Sequence, residues 1–135
     1  MAKFVATLTQ LKVGGVDLSD HVETATITAV GDEVETTAFG ATYHDFLMGL
    51  SANTLTVVFQ QDYGIAKVQQ TIWPLLNTTT TFSALPVAGA TSSVNPAFTG
   101  NVLISNWTPI DAQIGALGKV SATWKIVSAV TQATT

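Results

Sequence analysis

Neither cysteine nor arginine occurs in this chain, and charge of either sign is scarce. Without thiols there is no disulfide framework, no thiolate metal site, no cysteine nucleophile and no thiol redox chemistry. The cations are five lysines against nine acids, for a net charge of −4. Such a chain lacks the cation clusters and bidentate guanidinium contacts that hold phosphates tightly, so avid nucleic-acid binding is not expected. If it meets DNA, it does not grip it. Long hydrophobic runs are missing too. Every apolar stretch falls short of the roughly 18 residues that mark a membrane-spanning helix. The opening MAKFVATLTQ is interrupted by Thr7, Thr9 and Gln10. Neither a transmembrane helix, nor a signal peptide, nor membrane insertion is expected.

What is present is apolar. Hydrophobic residues make up 47% of the 135 positions and charged residues only 10%, against about 25% charged in ordinary soluble domains. A chain this poor in charge is expected to hide much of its surface in an assembly. The length suits a single domain over 1–135, and no repeat, linker or second domain is evident.

Apolar and β-branched residues alternate with polar ones, often threonine, over most of the chain, the period of strands with one buried face. The pattern predicts a strand to Val13, a Gly14-Gly15 turn, a short return at Val16 to Leu18, and a strand from Val22 to Val30. Gly31-Asp32 then reads as a turn, with EVETTAF running back. Leu55, Val57 and Phe59 share one face and are expected in the core. After Asp62, read as an N-cap, Ile65, Val68 and Ile72 fall at helical spacing, which predicts a helix over 63–74 that ends or kinks at Pro74. TTTTFSA, Val102 to Trp107 and Lys119 to Val127 read as further strands, the last two separated by a turn region, PIDAQIGALG. The tail, 129–135, is expected to be flexible. The sum is a mainly β chain, a two-sheet β-sandwich or barrel of seven or eight strands with one short flanking α-helix.

Residue patterns for chemistry are thin. Ser19-Asp20-His21 and His44-Asp45 place a histidine beside an aspartate, but neighbours on a strand point to opposite faces, so neither is expected to form a hydrogen-bonded dyad. Ser19 lacks the Gly-x-Ser-x-Gly elbow that exposes a nucleophile. Asp17 and Asp20 are expected to cap turn amides rather than hold a cation. Gly14-Gly15 precedes a strand pattern and no GK[ST] follows, so it is a hairpin turn and not a phosphate cradle. Trp73, Trp107 and Trp124 fall within apolar periodicity and read as core anchors rather than a sugar platform. No enzyme, no cofactor and no metal site is expected.

One stretch resists these readings. DEVETTAFGATYHDFLMGL begins as an acidic strand and then gathers Phe39, Tyr43, Phe46, Leu47, Met48 and Leu50 around glycines. Burying each such side chain is worth about 1.5–3 kcal/mol, so the group together rivals the roughly 5–15 kcal/mol stability of a whole domain. The segment must fold onto its own core or pack against a neighbour.

The order of features along nearly the whole chain resembles the major tail tube proteins of long-tailed, siphovirus-like bacteriophages. The matching pieces are VGGVDLSDHVETATIT, DEVETTAFG, FLMGLSANTLTVVFQQDY, a single helix, WPLL, a Thr-rich strand, and NPAFTGNVLISNWTPIDAQIGALGKVSATWKI. The resemblance implies a sandwich or barrel protomer with an extended inter-strand arm, here 32–53. It implies homo-hexameric rings stacked into a tube around a tape measure protein, capped by tail terminator and distal tail proteins, with DNA passing transiently through the lumen. The setting implied is the virion tail, assembled in the host cytoplasm. The arm would reach a neighbouring subunit or ring, through Phe39, Tyr43, His44, Asp45, Phe46, Leu47, Met48 and Leu50. Typical members carry Arg or Lys at mid-arm; Tyr43, His44 and Asp45 stand there instead, which shifts the expected contacts towards apolar packing. An acidic balance suits a conduit that must not retain DNA. Two alternatives are a tail terminator or head-tail joining ring, which would not polymerise, and a carbohydrate-binding or adhesin module, which would be a stable monomer with a saturable site.

Overall fold

The computed structural model describes residues 3, 5 and 9–135; the part of the first expected strand at residues 6–8 lies outside them. Ten strands follow in chain order: β1 Gln10–Val13, β2 Val16–Asp17, β3 Val22–Thr28, β4 Gly31–Glu35, β5 Phe46–Ser51, β6 Asn53–Gln60, β7 Thr79–Leu85, β8 Ala97–Leu103, β9 Lys119–Ile126 and β10 Thr131–Ala133. One helix, α1, spans Val68–Ile72, and 3-10 turns form at Ser19–His21 and Trp73–Leu75.

The strands β2-β1-β7-β8-β9-β6-β3 form one long sheet, with β10 added beside β8, while β4 and β5 pair only with each other. β8 and β9 share just two registered pairs, Val102 with Ile126 and Leu103 with Lys125. The long sheet therefore turns a corner there, and its two halves face one another as the layers of a sandwich. Alternation does the rest. In β9, Val120, Ala122, Trp124 and Ile126 point inward and are buried. Leu55, Val57 and Phe59 of β6 lie opposite Trp124, Ala122 and Val120 in register and are fully buried. From the other layer Leu11, Val13, Phe82 and Val102 join the same cluster, closed from the flank by Val68 and Ile72 of α1. At its centre the rings of Phe59, Trp107 and Trp124 meet with centroids 5.7 to 6.4 Å apart. Their polar tips are satisfied: Trp124 Nε1 donates to the Asn106 carbonyl at 2.9 Å and Trp107 Nε1 to Gln69 Oε1 at 2.8 Å. Buried indoles need such partners because an orphaned donor costs about 1–3 kcal/mol. At the β1-β2 hairpin Gly14 and Gly15 both have positive φ, 61° and 83°, the conformation a two-residue turn needs to match the twist of its strands.

Several expectations change. Gly31-Asp32 is not a turn but the start of β4. The helix is half the expected length: Asp62 Oδ1 accepts from the Gly64 amide at 2.8 Å and Ala66 sits at φ 60°, so helical geometry starts only after Lys67, and Ile65 is exposed. Asp62 thus caps an Asx-turn, and Pro74 lies within the 3-10 turn that follows α1. The strand expected from Val102 to Trp107 runs instead over Ala97–Leu103, where Phe98 to Leu103 pair with β7. The stretch Thr131–Ala133 in the expected flexible tail is strand β10, paired with β8 from Thr99 to Ala97. Trp73 is half exposed rather than a core anchor.

Candidate assembly surface: the projecting hairpin

β3 and β6 are antiparallel neighbours, Thr28 opposite Thr54, and the chain does not stop pairing there. The Ala52 amide donates to the Val30 carbonyl at 2.6 Å, Gly31 faces Ser51, and the pairing resumes with Glu33 to Met48, Val34 to Leu47 and Glu35 to Phe46. Two further bonds extend it, from the Thr36 amide to the Asp45 carbonyl at 2.7 Å and from the Asp45 amide to Thr37 Oγ1 at 2.8 Å. One β-hairpin thus runs out of the sandwich to a tip at 38–44. The six-residue β5 alone extends roughly 20 Å.

Every residue from Asp32 to Ala52 is exposed. The choice left open by the sequence is settled: this segment does not fold onto its own core. Phe39 and Tyr43 stand at the tip with nearly full exposure, and Phe46, Leu47, Met48 and Leu50 on β5 are each more than half exposed. Residues directly opposite in an antiparallel pair share a face. One face of the hairpin therefore carries Glu33, Glu35, Phe46 and Met48, and the other Val34 and Leu47. His44 turns back to Glu35, 3.4 Å away, with its ring 6.4 Å from that of Phe46. Asp45 contributes its backbone to the hairpin ladder. All eight sequence-expected residues therefore lie on one projecting element. Between its root and the β9-β10 connection runs an open groove of about 630 Å³ lined by Val30, Gly31, Met48, Ile126 and Val130 among others.

Charge is distributed as unevenly as apolar surface. The segment 31–51 holds Asp32, Glu33, Glu35 and Asp45 and no lysine. The remaining five acids equal the five lysines, so the hairpin carries the whole net charge. An isolated two-stranded hairpin is at best marginally stable in water.

One of the two histidine pairs resolves differently from expectation: His44 pairs with Glu35 and not with its neighbour Asp45, but Asp20 and His21 do meet. Ser19–His21 is a 3-10 turn and not a strand, so the side chains of Asp20 and His21 meet: His21 Nδ1 lies 2.7 Å from Asp20 Oδ1. Its Nε2 lies 2.8 Å from Asp62 Oδ2. Burial is the largest influence on His21 and lowers its pKa, but the hydrogen bonds to Asp62 and Asp20 and their charges together outweigh it, leaving the pKa raised. Asp62 is held below the usual carboxylate range by the Gly64 amide and then by His21. Asp17 is lowered by the Ser19 hydroxyl and amide, as an Asx-turn acceptor. Ser19 Oγ also accepts from the Leu11 amide at 2.9 Å. Among the described residues no three His, Asp or Glu side chains converge as a metal site.

Sequence reasoning missed a second exposed apolar group. Tyr63 and Ile65 precede α1, while Ile110, Ile114 and Leu117 lie between β8 and β9, all exposed. Ile65 was expected in a helical stripe, and the other three sit in a Gly-containing turn region with no strand or helix period to flag them.

No family model matches the chain, and no curated protein does. Solved structures do. A chain in the virion of a native gene transfer agent particle superposes with a TM-score of 0.72 at 9% identity, covering 92% of this chain and 94% of the other. The fold is one found in gene transfer agent particles. A second match, with TM-score 0.68 and 11% identity over 93% of each chain, comes from the tail of an empty gene transfer agent particle refined helically with C6 symmetry. Both likenesses span nearly the full length of each partner, so the fold is shared as a whole.

Proposed function

We propose that this chain is the structural subunit of a tail tube in a long-tailed phage or phage-like particle. Six copies form a ring, rings stack into a tube, and the hairpin 31–51 makes the contacts between subunits through Phe39, Tyr43, His44, Asp45, Phe46, Leu47, Met48 and Leu50. The observation that carries this reading is the hairpin itself: residues 32–52 are exposed without a break, with large apolar side chains on both faces, on a sandwich that leaves them uncovered. A surface of that kind marks a protein contact. The six-fold symmetry of the tail that shares the fold supports six as the copy number.

In this reading the tube surrounds a tape measure protein during assembly, meets terminator and distal tail proteins at its ends, and passes DNA during ejection, within a virion assembled in the host cytoplasm. The face of β3-β6-β9 turned away from the core suits passage of DNA. Thr26, Thr56 and Thr123 lie side by side across it in register; of its two β9 lysines, Lys119 is paired with Glu23 at 3.1 Å and Lys125 is exposed opposite Thr54. With one paired and one exposed lysine among threonines, such a wall lacks the cation cluster that would hold phosphates tightly. Native mass spectrometry of the purified protein tests the copy number: six, or multiples of six, is the expected result, and a stable monomer at all concentrations overturns the reading.

A further inference from the structure

Five of the exposed apolar residues outside the hairpin belong together. Of eighteen large ones among the described residues, seven lie on the hairpin and five are Tyr63, Ile65, Ile110, Ile114 and Leu117. The two loops that carry these five are tied together. Tyr63 Oη and Gln61 Nε2 both donate to the Pro109 carbonyl, at 2.7 and 3.0 Å, and the Gln61 amide donates to the Gly118 carbonyl at 2.9 Å. They form one surface at the end of the β6-β9 pair where Gln60 meets Lys119.

The hairpin leaves from the other end of the same pair, where Asn53 meets Ile126. Eight residues of β6 separate the two, roughly 25 Å along the strand. Two apolar surfaces at opposite poles of one rigid strand pair cannot cover each other within a molecule. Between molecules they can, and the contact is then head-to-tail, which propagates rather than closes into a dimer. Charge adds little to the match. The hairpin has four carboxylates and no lysine, whereas Lys67 at the far pole is exposed and makes no salt bridge among the described residues. Its neighbour Asp62 is already engaged by His21 and the Gly64 amide. Asp111 opposes Lys67 in the facing loop, and exposed Lys125 stands opposite Thr54 near the hairpin's root, so the fit rests on the apolar match.

We propose that the surface formed by Tyr63, Ile65, Ile110, Ile114 and Leu117 is the receptor for the hairpin of a second copy in the adjacent ring. This rests on the stacked-ring reading and names the partner of its arm. The contact repeats along the tube axis, so each ring presents hairpins at one end and receptors at the other, and the tube is polar.

The absence of cysteine makes the test clean. Leu47→Cys and Ile114→Cys are combined in one chain, assemblies are oxidised, and the products are separated under denaturing, non-reducing conditions. A second pair, Tyr43→Cys with Ala116→Cys, samples another register. A disulfide needs Cβ atoms about 3.8 Å apart, so closure within one molecule is excluded by the distance between poles. The expected result is a ladder of covalent multimers from at least one double variant and no efficient dimer from any single variant. Assemblies that form normally but give no ladder with either pair overturn the receptor assignment and leave the tube reading intact. Efficient dimers from Leu47→Cys alone would show hairpins meeting each other, which also overturns it. If unoxidised wild-type protein does not assemble at all, the tube reading fails and this inference with it.

Discussion

His21 Nε2 lies 2.8 Å from Asp62 Oδ2, joining two loops 41 positions apart in the sequence. Its other ring nitrogen faces Asp20. Both partners are carboxylate oxygens, which accept, so only the doubly protonated ring donates to both. The pair fastens the 3-10 turn before β3 to the loop before α1, and with it the Tyr63 and Ile65 surface. Glu23 on β3 is paired with Lys119, and Lys67 acts on Asp62 from the helix side.

The consequence is a pH dependence of stability. His21 has a raised pKa when folded, so its contribution is full below the ordinary imidazole value of 6.5 and is lost as pH rises through the folded value. Asp62 has a lowered pKa, so its contribution is present above 3.8 and is lost as pH falls through its folded value. Thermal unfolding should therefore show this contribution at its largest between those two values and declining on the alkaline side. In His21→Gln the alkaline decline should vanish. An unchanged slope in that variant would place the titrating group elsewhere.

Phe46→Ser combined with Leu47→Ser should abolish assembly and leave the sandwich standing. Both residues are more than half exposed on the hairpin and touch none of the core cluster. Far-ultraviolet circular dichroism should remain β-rich and sedimentation should report monomers. Loss of the fold would mean that the hairpin is part of the monomer's core.

Trp124→Ala should behave oppositely. The side chain is fully buried against Phe59 and Trp107, and truncation of a buried Trp costs about 3–5 kcal/mol. The Asn106 carbonyl also loses its donor. Urea unfolding should show a lower midpoint with a similar slope, and a change under 1 kcal/mol would contradict the packing described.

Deleting the chain after Val130 removes β10 and uncovers the edge of β8 from Ala97 to Thr99. Hydrogen exchange should speed up at β8 amides in that segment and stay slow across β6 and β9. Unchanged protection at Phe98 and Thr99 would argue that β10 does not pair in solution.

Much of the sandwich was legible because period-two alternation is a local property that burial enforces. Leu55, Val57 and Phe59 read as one face and are one face; the strand read from Lys119 to Val127 forms over Lys119–Ile126. The Gly14-Gly15 turn was legible because glycine is nearly alone in tolerating two successive positive φ values. Boundaries failed where tertiary partners decide them. Ala97 to Asn101 become strand because β7 and β10 pair with them, and Thr131–Ala133 because β8 does. The helix was overread because Ile65 has the right spacing, while the Asx-turn at Asp62 and the left-handed Ala66 keep the chain from starting a helix there. The hairpin's composition announced a contact surface, yet only the structure shows that its residues leave the core. The facing group, Ile110, Ile114 and Leu117, carries no period, and the bond from Tyr63 to Pro109 that brings it beside Ile65 joins residues 46 apart.

The most direct measurement is electron microscopy of the purified, concentrated protein under negative stain. Hollow tubes of stacked rings, six subunits to a ring, are the expected result. Uniformly small single particles at high concentration would contradict the tube reading.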